Sequence, residues 1–253
     1  MKKSILSAKG ISKSFAHNGE HIPILSHLDF ELYEGDFTVI MGASGSGKST
    51  LLYALSGMDR PTAGQVIYGE RDLTVMKEKE LASLRCKEFG FIFQQMHLIS
   101  NLSLSENVLV SGYLNKNYSA SEVKKRTEDL FDKMGLVHVK KHLPSQVSGG
   151  EQQRCAIARA VVNMPKILFA DEPTGALNRH NTMEVLNLLS ELNNSGQSIL
   201  MVTHDLKAAL RATRLLYLED GMFVGEMALS TYSHQEEKAR ETQINAWLAS
   251  MEW

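Results

Sequence analysis

The sequence predicts an α/β fold with a mainly parallel core sheet, a small antiparallel β region and an inserted helical subdomain. Three observations predict it. Short apolar runs rich in β-branched residues alternate with helical patterns, the order that produces a parallel sheet. Between two such stretches, from about residue 73 to 152, the chain becomes more polar and its patterns helical. Leu215–Leu218 and Met222–Val224, joined by Glu219-Asp220-Gly221, read as a hairpin.

The elements follow in order. Phe37–Met41 (FTVIM) is a short apolar run bounded by turn residues, hence a buried strand. A glycine-rich loop follows, then a helical stretch through Leu55 that stops at Gly57. Gly64–Gly69 reads as a short strand. Helical patterns cover 77–87, 103–112 and 120–134; the last opens on Ser119 and Glu122, the spacing of a capping box, and closes at Gly135. Ile167–Ala170 and Ser198–Thr203 are further buried strands, with an amphipathic helix at 181–192 between them. The tail from Gln235 looks helical, with Ile244, Trp247, Leu248 and Met251 on one face, read as packing on the chain itself. The expected organisation is one domain: a core of about 1–94 and 153–234, a helical subdomain of about 95–152 and a C-terminal helix of about 235–253.

The totals narrow the function. The chain has 253 residues, 43 % of them apolar, enough for a full core. Its 27 basic and 29 acidic side chains give a formal charge of −2, without the basic excess expected of a nucleic-acid binder. No run approaches the roughly 18 apolar residues of a membrane-spanning helix. The start, MKKSILSAKG, lacks an apolar h-region, so no signal peptide is expected. Cys86 and Cys155 have no metal-ligand spacing and read as reduced packing residues.

The chemistry is concentrated in three places. Gly42, Ala43, Ser44, Gly45, Ser46, Gly47, Lys48 and Ser49 satisfy G-x-x-x-x-G-K-S/T and Thr50 completes the loop, with a strand before and a helix after. Glycines let backbone N–H groups face a polyphosphate, and the helix N-terminus adds partial positive charge. Lys48 can reach the β- and γ-phosphates, and the Ser49 hydroxyl can ligate Mg²⁺. ATP and Mg²⁺ are therefore the expected cofactors. At the end of the strand 167–170, Asp171 can hold Mg²⁺ and Glu172 can polarise the attacking water. His204 ends the strand 198–203 and is expected at the γ-phosphate. Three strands would deliver Gly42, Asp171 and His204 to the carboxyl edge of one sheet, where α/β folds bind ligands.

Val147–Arg154, VSGGEQQR, resembles the signature motif of ABC-transporter ATPases, usually written LSGGQ. Phe15, the loop at Gly42, Gln94, Ser148, Asp171-Glu172 and His204 stand in that family's order, and the resemblance covers nearly the whole chain. It implies a P-loop NTPase fold of the ABC type. It implies that Phe15 stacks on adenine, and that Gln94 contacts Mg²⁺ or water and senses a membrane partner. Ser148, Gly149, Gly150 and Glu151 would face the nucleotide held by a second subunit, so that a homodimer sandwiches two ATP molecules. Lys48, Gln94, Glu172 and His204 form the implied catalytic set.

Two departures stand out. Glu151 replaces the commoner Gln; since Ser148 and Glu151 have capping-box spacing, its carboxylate is expected to fold back onto the Ser148 N–H. Gly175-Ala176-Leu177-Asn178 stands where the family usually has Ser-Ala-Leu-Asp. Within the family, FGFIFQQMHLISNLSLSENV, ADEPTGALN and AWLASMEW most resemble the macrolide-export, lipoprotein-release and antimicrobial-peptide-resistance group. That implies a transmembrane permease partner and a place on the cytoplasmic face of the plasma membrane. The motor would power export or mechanotransmission; the alternative is control of cell-wall or cell-division machinery through a permease-like partner. Met96, Leu98, Ile99 and Leu102 are either the permease groove or the subdomain's own core.

Overall fold

The computed structural model describes residues 3–17 and 20–251; residues 252 and 253, into which the expected C-terminal helix runs, lie outside the described residues. The chain forms two compact units, Met1–Leu81 with Asn193–Trp253, and Ala82–Leu192.

The first unit opens with two long strands, β1 (Ser4–His17) and β2 (Glu20–Tyr33). Its next strand, β3 (Phe37–Met41), is followed by α1 (Lys48–Leu55), β4 (Ala63–Tyr68) and β5 (Arg71–Asp72). An antiparallel sheet is ordered β2-β1-β4-β5. Most of the antiparallel structure therefore lies in β1 and β2, not only in the hairpin read from the sequence. β1 and β2 pair with register shifts between Ala8 and Ile11 and on either side of Lys13. These bulges break the two-residue alternation by which a half-buried strand is recognised.

The second unit carries α2 (Glu78–Glu88, which begins in the first), β6 (Phe89–Phe93), α3 (Leu104–Leu114) and α4 (Ala120–Lys133). It continues with α5 (Gly149–Val161), β7 (Ile167–Asp171) and α6 (Arg179–Asn194). α3 packs on α4 and α5, and β6 runs parallel to β7. Capping boxes start α3, α4 and α5, from Ser103/Glu106, Ser119/Glu122 and Ser148/Glu151. Each satisfies two of the backbone donors left over at a helix start. Buried Asn107 bonds the Ile99 N–H and the carbonyls of Ile99, Leu102 and Ser103, which fixes the loop before α3.

The chain then returns to the first unit with β8 (Ser198–Val202), α7 (Leu206–Ala209), β9 (Arg214–Glu219), β10 (Met222–Ala228) and α8 (Glu237–Ala249). β3 lies parallel to both β8 and β9, and β9 turns back antiparallel into β10. Every residue of β3 and β8 is buried, which is why both read as nearly continuous apolar runs, with only Thr38 and Ser198 polar, and not as alternating ones. Ile244 and Leu248 are buried, and Trp247 and Met251 lie so close to Gly225 of β10 that a Cβ there would meet Met251 Cε at 2.7 Å. The C-terminal stripe thus packs on its own hairpin, as read. The two cysteines are packing residues: Cys155 is buried, and burial pushes its thiol up to about 12.

Candidate nucleotide site

In the first unit the paired register of β3 and β8, Ile40 opposite Val202, ends both strands at one edge. Gly42 lies just past one end and His204 just past the other. The Thr203 N–H donates to the Ile40 carbonyl at 3.1 Å, tying the two ends together. The exposed His204 is held in a turn in which the Asp205 N–H bonds Thr203 Oγ1 (3.0 Å) and Asp205 caps α7.

The glycine loop is shaped by close approach. A Cβ on Gly42 would run into the Leu218 carbonyl oxygen, and Gly47 sits at φ 100°, a left-handed conformation open chiefly to glycine. Gly47 is the N-cap of α1, and no side chain caps that helix. Buried Lys48 folds its ammonium back, donating to the Gly42 and Ala43 carbonyls, both at 2.8 Å. The Ser46 hydroxyl is buried with no hydrogen-bond partner among the described residues. An uncapped helix start, a buried ammonium and an orphaned hydroxyl form a cradle that suits a polyphosphate. Ser49 and Thr50 open the first turn of α1. Phe15, on β1, is exposed, with Lys13 Nζ 5.0 Å from its ring centre. Lys13 is fixed by Asp59 at 2.7 Å and by the Arg60 carbonyl at 2.7 Å.

In the second unit the register of β6 and β7 places Phe93 opposite Asp171. Gln94 and Glu172 are thereby brought to the same strand edge, each one residue past the pair. Glu172 has φ 46°, a left-handed conformation costly for a residue with a side chain and of a kind that clusters at functional sites. Gln94 lies against Gly175, where a Cβ would come within 2.9 Å of Gln94 Nε2. The glycine that departs from the family's usual serine therefore makes room for the Gln94 amide. Gln153, fully buried on α5 and unforeseen from sequence, donates to the carbonyls of Phe93 (3.3 Å) and Pro173 (2.7 Å). It joins the loops that carry Gln94 and Glu172.

The start of α5 is closed by its own side chains. Glu151 Oε2 accepts from the Ser148 N–H at 2.8 Å and from its hydroxyl at 2.7 Å. The Glu151 N–H returns a bond to Ser148 Oγ at 3.3 Å. These bonds to Ser148 hold the Glu151 carboxyl below its ordinary value. The expected fold-back is thus present. Gly149 opens the helix, and a Cβ on Gly150 would meet Asn181 Cγ at 2.5 Å, so Gly150 lets the first turn of α6 cross the signature. Asn178, in the second departure, accepts from the Asn181 N–H at 2.9 Å and so caps the start of α6. Ile99 is exposed, Met96, Leu98 and Leu102 are half-buried, and Arg159 holds the Met96 and His97 carbonyls.

The sequence profile of the ABC transporter family matches residues 25–175. The chain belongs to that family. It is 42 % identical over 221 residues to the macrolide export ATP-binding/permease protein MacB of Wolinella succinogenes, covering 87 % of this chain and 34 % of that protein. It is 40 % identical over 223 residues to the lipoprotein-releasing system ATP-binding protein LolD of Idiomarina loihiensis, covering 88 % of this chain and 97 % of that one. The chain thus spans about a third of the length of the MacB relatives and nearly all of LolD. Among solved structures it resembles the ATP-binding cassette MJ0796, a dimer in a post-hydrolysis state bound to ADP and Pi. That match has 36 % identity and a TM-score of 0.83, over 90 % of this chain and all of that one. The chain is an ABC ATPase domain.

Proposed function

We propose that this ATPase powers a transmembrane permease from the cytoplasmic face of the plasma membrane, working as a homodimer that closes on two ATP molecules. One observation carries the reading: a single chain holds both an uncapped, glycine-shaped phosphate cradle and a second glycine-rich helix start, the one capped by Ser148. Either alone would be half of a composite site. The dimeric post-hydrolysis state of MJ0796 and the names of the MacB and LolD relatives support it. Among the described residues no helix is long and apolar enough to cross a membrane, so any span would belong to a partner or to chain outside those residues.

The roles follow from chemistry. Phe15 offers a π-face to the base. The N–H groups of the 42–50 loop and Lys48 surround the phosphates. Among the described residues no cluster of three His, Cys, Asp or Glu could hold a metal alone. Mg²⁺ needs few protein ligands beside phosphate oxygens. Ser49, Gln94 and Asp171 would hold it, and it would neutralise charge on the β- and γ-phosphates. Glu172 draws a proton from the attacking water and His204 steadies the γ-phosphate. The signature residues Ser148, Gly149 and Gly150 complete the site of the second copy. Coupling runs through Gln94 and the half-buried apolar residues after it, toward a permease of the macrolide-export or lipoprotein-release kind.

The test uses mixtures. Glu172→Gln chain should form ATP-dependent dimers that hardly turn over. Lys48→Ala chain added to wild type should inhibit beyond simple dilution; activity that only dilutes would overturn the composite site.

A further inference from the structure

The carboxylate of Glu151 has a second oxygen that Ser148 does not use. It meets His138, whose Nε2 lies 3.1 Å from Glu151 Oε1. His138 stands in the single turn Val137–Val139, before the signature. The histidine side chain is 67 % exposed and the glutamate 16 %, so the ring is open to protons while the carboxylate is mostly enclosed. Two other cations close in sequence are engaged elsewhere. Arg154, one turn along α5, bonds Glu184 of α6, which also faces His180 at 3.4 Å. Lys140, just after the turn, bonds Glu128 of α4 at 2.5 Å. Among the described residues, His138 is the basic side chain paired with Glu151.

The offset has a consequence at the start of α5. A glutamate where a neutral glutamine is usual places a negative charge beside the helix end that would receive an anion. Capping turns the carboxylate inward but leaves its charge. A protonated imidazole bound to its outer oxygen cancels that charge locally, and a neutral one does not. We infer that His138 is a positioning and charge-balancing residue for ATP-driven pairing, strengthening it when the imidazole is protonated. The inference rests on the reading that the start of α5 faces the nucleotide of a second copy.

The experiment titrates ATP against dimer formation by light scattering, in the full chain carrying Glu172→Gln, at pH 6 and pH 8. A change of pH acts on the nucleotide and on the rest of the chain as well, so the readout is the difference between variants. His138→Ala should require roughly two- to five-fold more ATP at pH 6 and change little at pH 8, the size expected of a partly exposed ion pair. With Glu151→Gln also present, His138→Ala should have no effect at either pH. His138→Lys should hold the strong pairing at both. If His138→Ala weakens pairing equally at both pH values, or as much with Gln at 151 as with Glu, the charge-balancing role is overturned while the composite site stands. If the parent shows no ATP-driven pairing at all, the composite-site reading falls and this inference with it.

Discussion

The chain has two glycine-rich helix starts, and they are built in opposite ways. α1 begins at Gly47 with no side-chain cap, a buried Ser46 hydroxyl without a partner among the described residues and an ammonium tucked into the loop. α5 begins at Ser148 with a complete capping box, and its caps are engaged by Glu151. The first start leaves the Ser46 hydroxyl, unpartnered among the described residues, to a ligand. The second has two of its donors, the Ser148 and Glu151 N–H groups, satisfied within the chain, and its Ser148 hydroxyl must give up an internal bond to meet an outside anion. A phosphate that stays through a cycle fits the first kind, and a contact made and broken in each cycle fits the second.

That contrast can be broken by substitution. The largest effect is expected at Glu172: Glu172→Gln should lower turnover by about 10²- to 10⁴-fold, the range of a lost general base, with ATP binding kept. Undiminished hydrolysis would remove Glu172 from that role. Lys48→Ala should lower kcat/KM for ATP by about 10²- to 10³-fold. Normal steady-state kinetics would contradict the cradle. The two serines sharpen the comparison most. Ser148→Ala should cost about 0.5–2 kcal/mol of stability in urea unfolding, because a cap is lost. Ser46→Ala should stay within about 0.5 kcal/mol, because its hydroxyl has no partner to lose, while raising KM for ATP. Equal stability losses would erase the distinction between the two starts.

The smallest effect is a pH dependence. Bonds from Ser103, Ser119 and Ser148 lower the carboxyls of Glu106, Glu122 and Glu151 from the ordinary 4.5. A carboxyl lowered by folding adds stability above its unfolded value and loses it as pH falls through the folded one. Unfolding midpoints should therefore drop from about pH 5 downward. Replacing all three glutamates with glutamine should flatten that slope without abolishing folding; an unchanged slope would remove the capping carboxylates as its cause.

Legibility from sequence followed how local the information is. Strands β3, β7 and β8 were legible because burial on both faces leaves nearly continuous apolar runs. The phosphate loop was legible because its geometry demands particular residue types in a fixed order. The fold-back of Glu151 followed from three-residue spacing alone. β1 and the first half of β2 were not legible, because their bulges scramble the alternation; the second half of β2, where buried Leu28, Phe30 and Leu32 alternate with exposed Asp29 and Glu31, did carry the strand signal. The Ser103–Glu106 box was not read, although its spacing equals that of the other two. Gln153 was not legible, since its two acceptors lie 60 and 20 residues away in sequence. The fit between Gly175 and Gln94 was hidden for the same reason: a departure in one loop answers a side chain from another.

Gln153 has a mechanical meaning. It lies five residues beyond Ser148 on the same helix, and its amide grips one backbone carbonyl next to Gln94 and another next to Glu172. The helix is a stiff rod, so a push or tilt at its serine end is delivered through this linkage to both loops in the same stroke. The loop of the residue expected to sense a membrane partner and the loop of the residue expected to handle water are thereby fastened to one shaft.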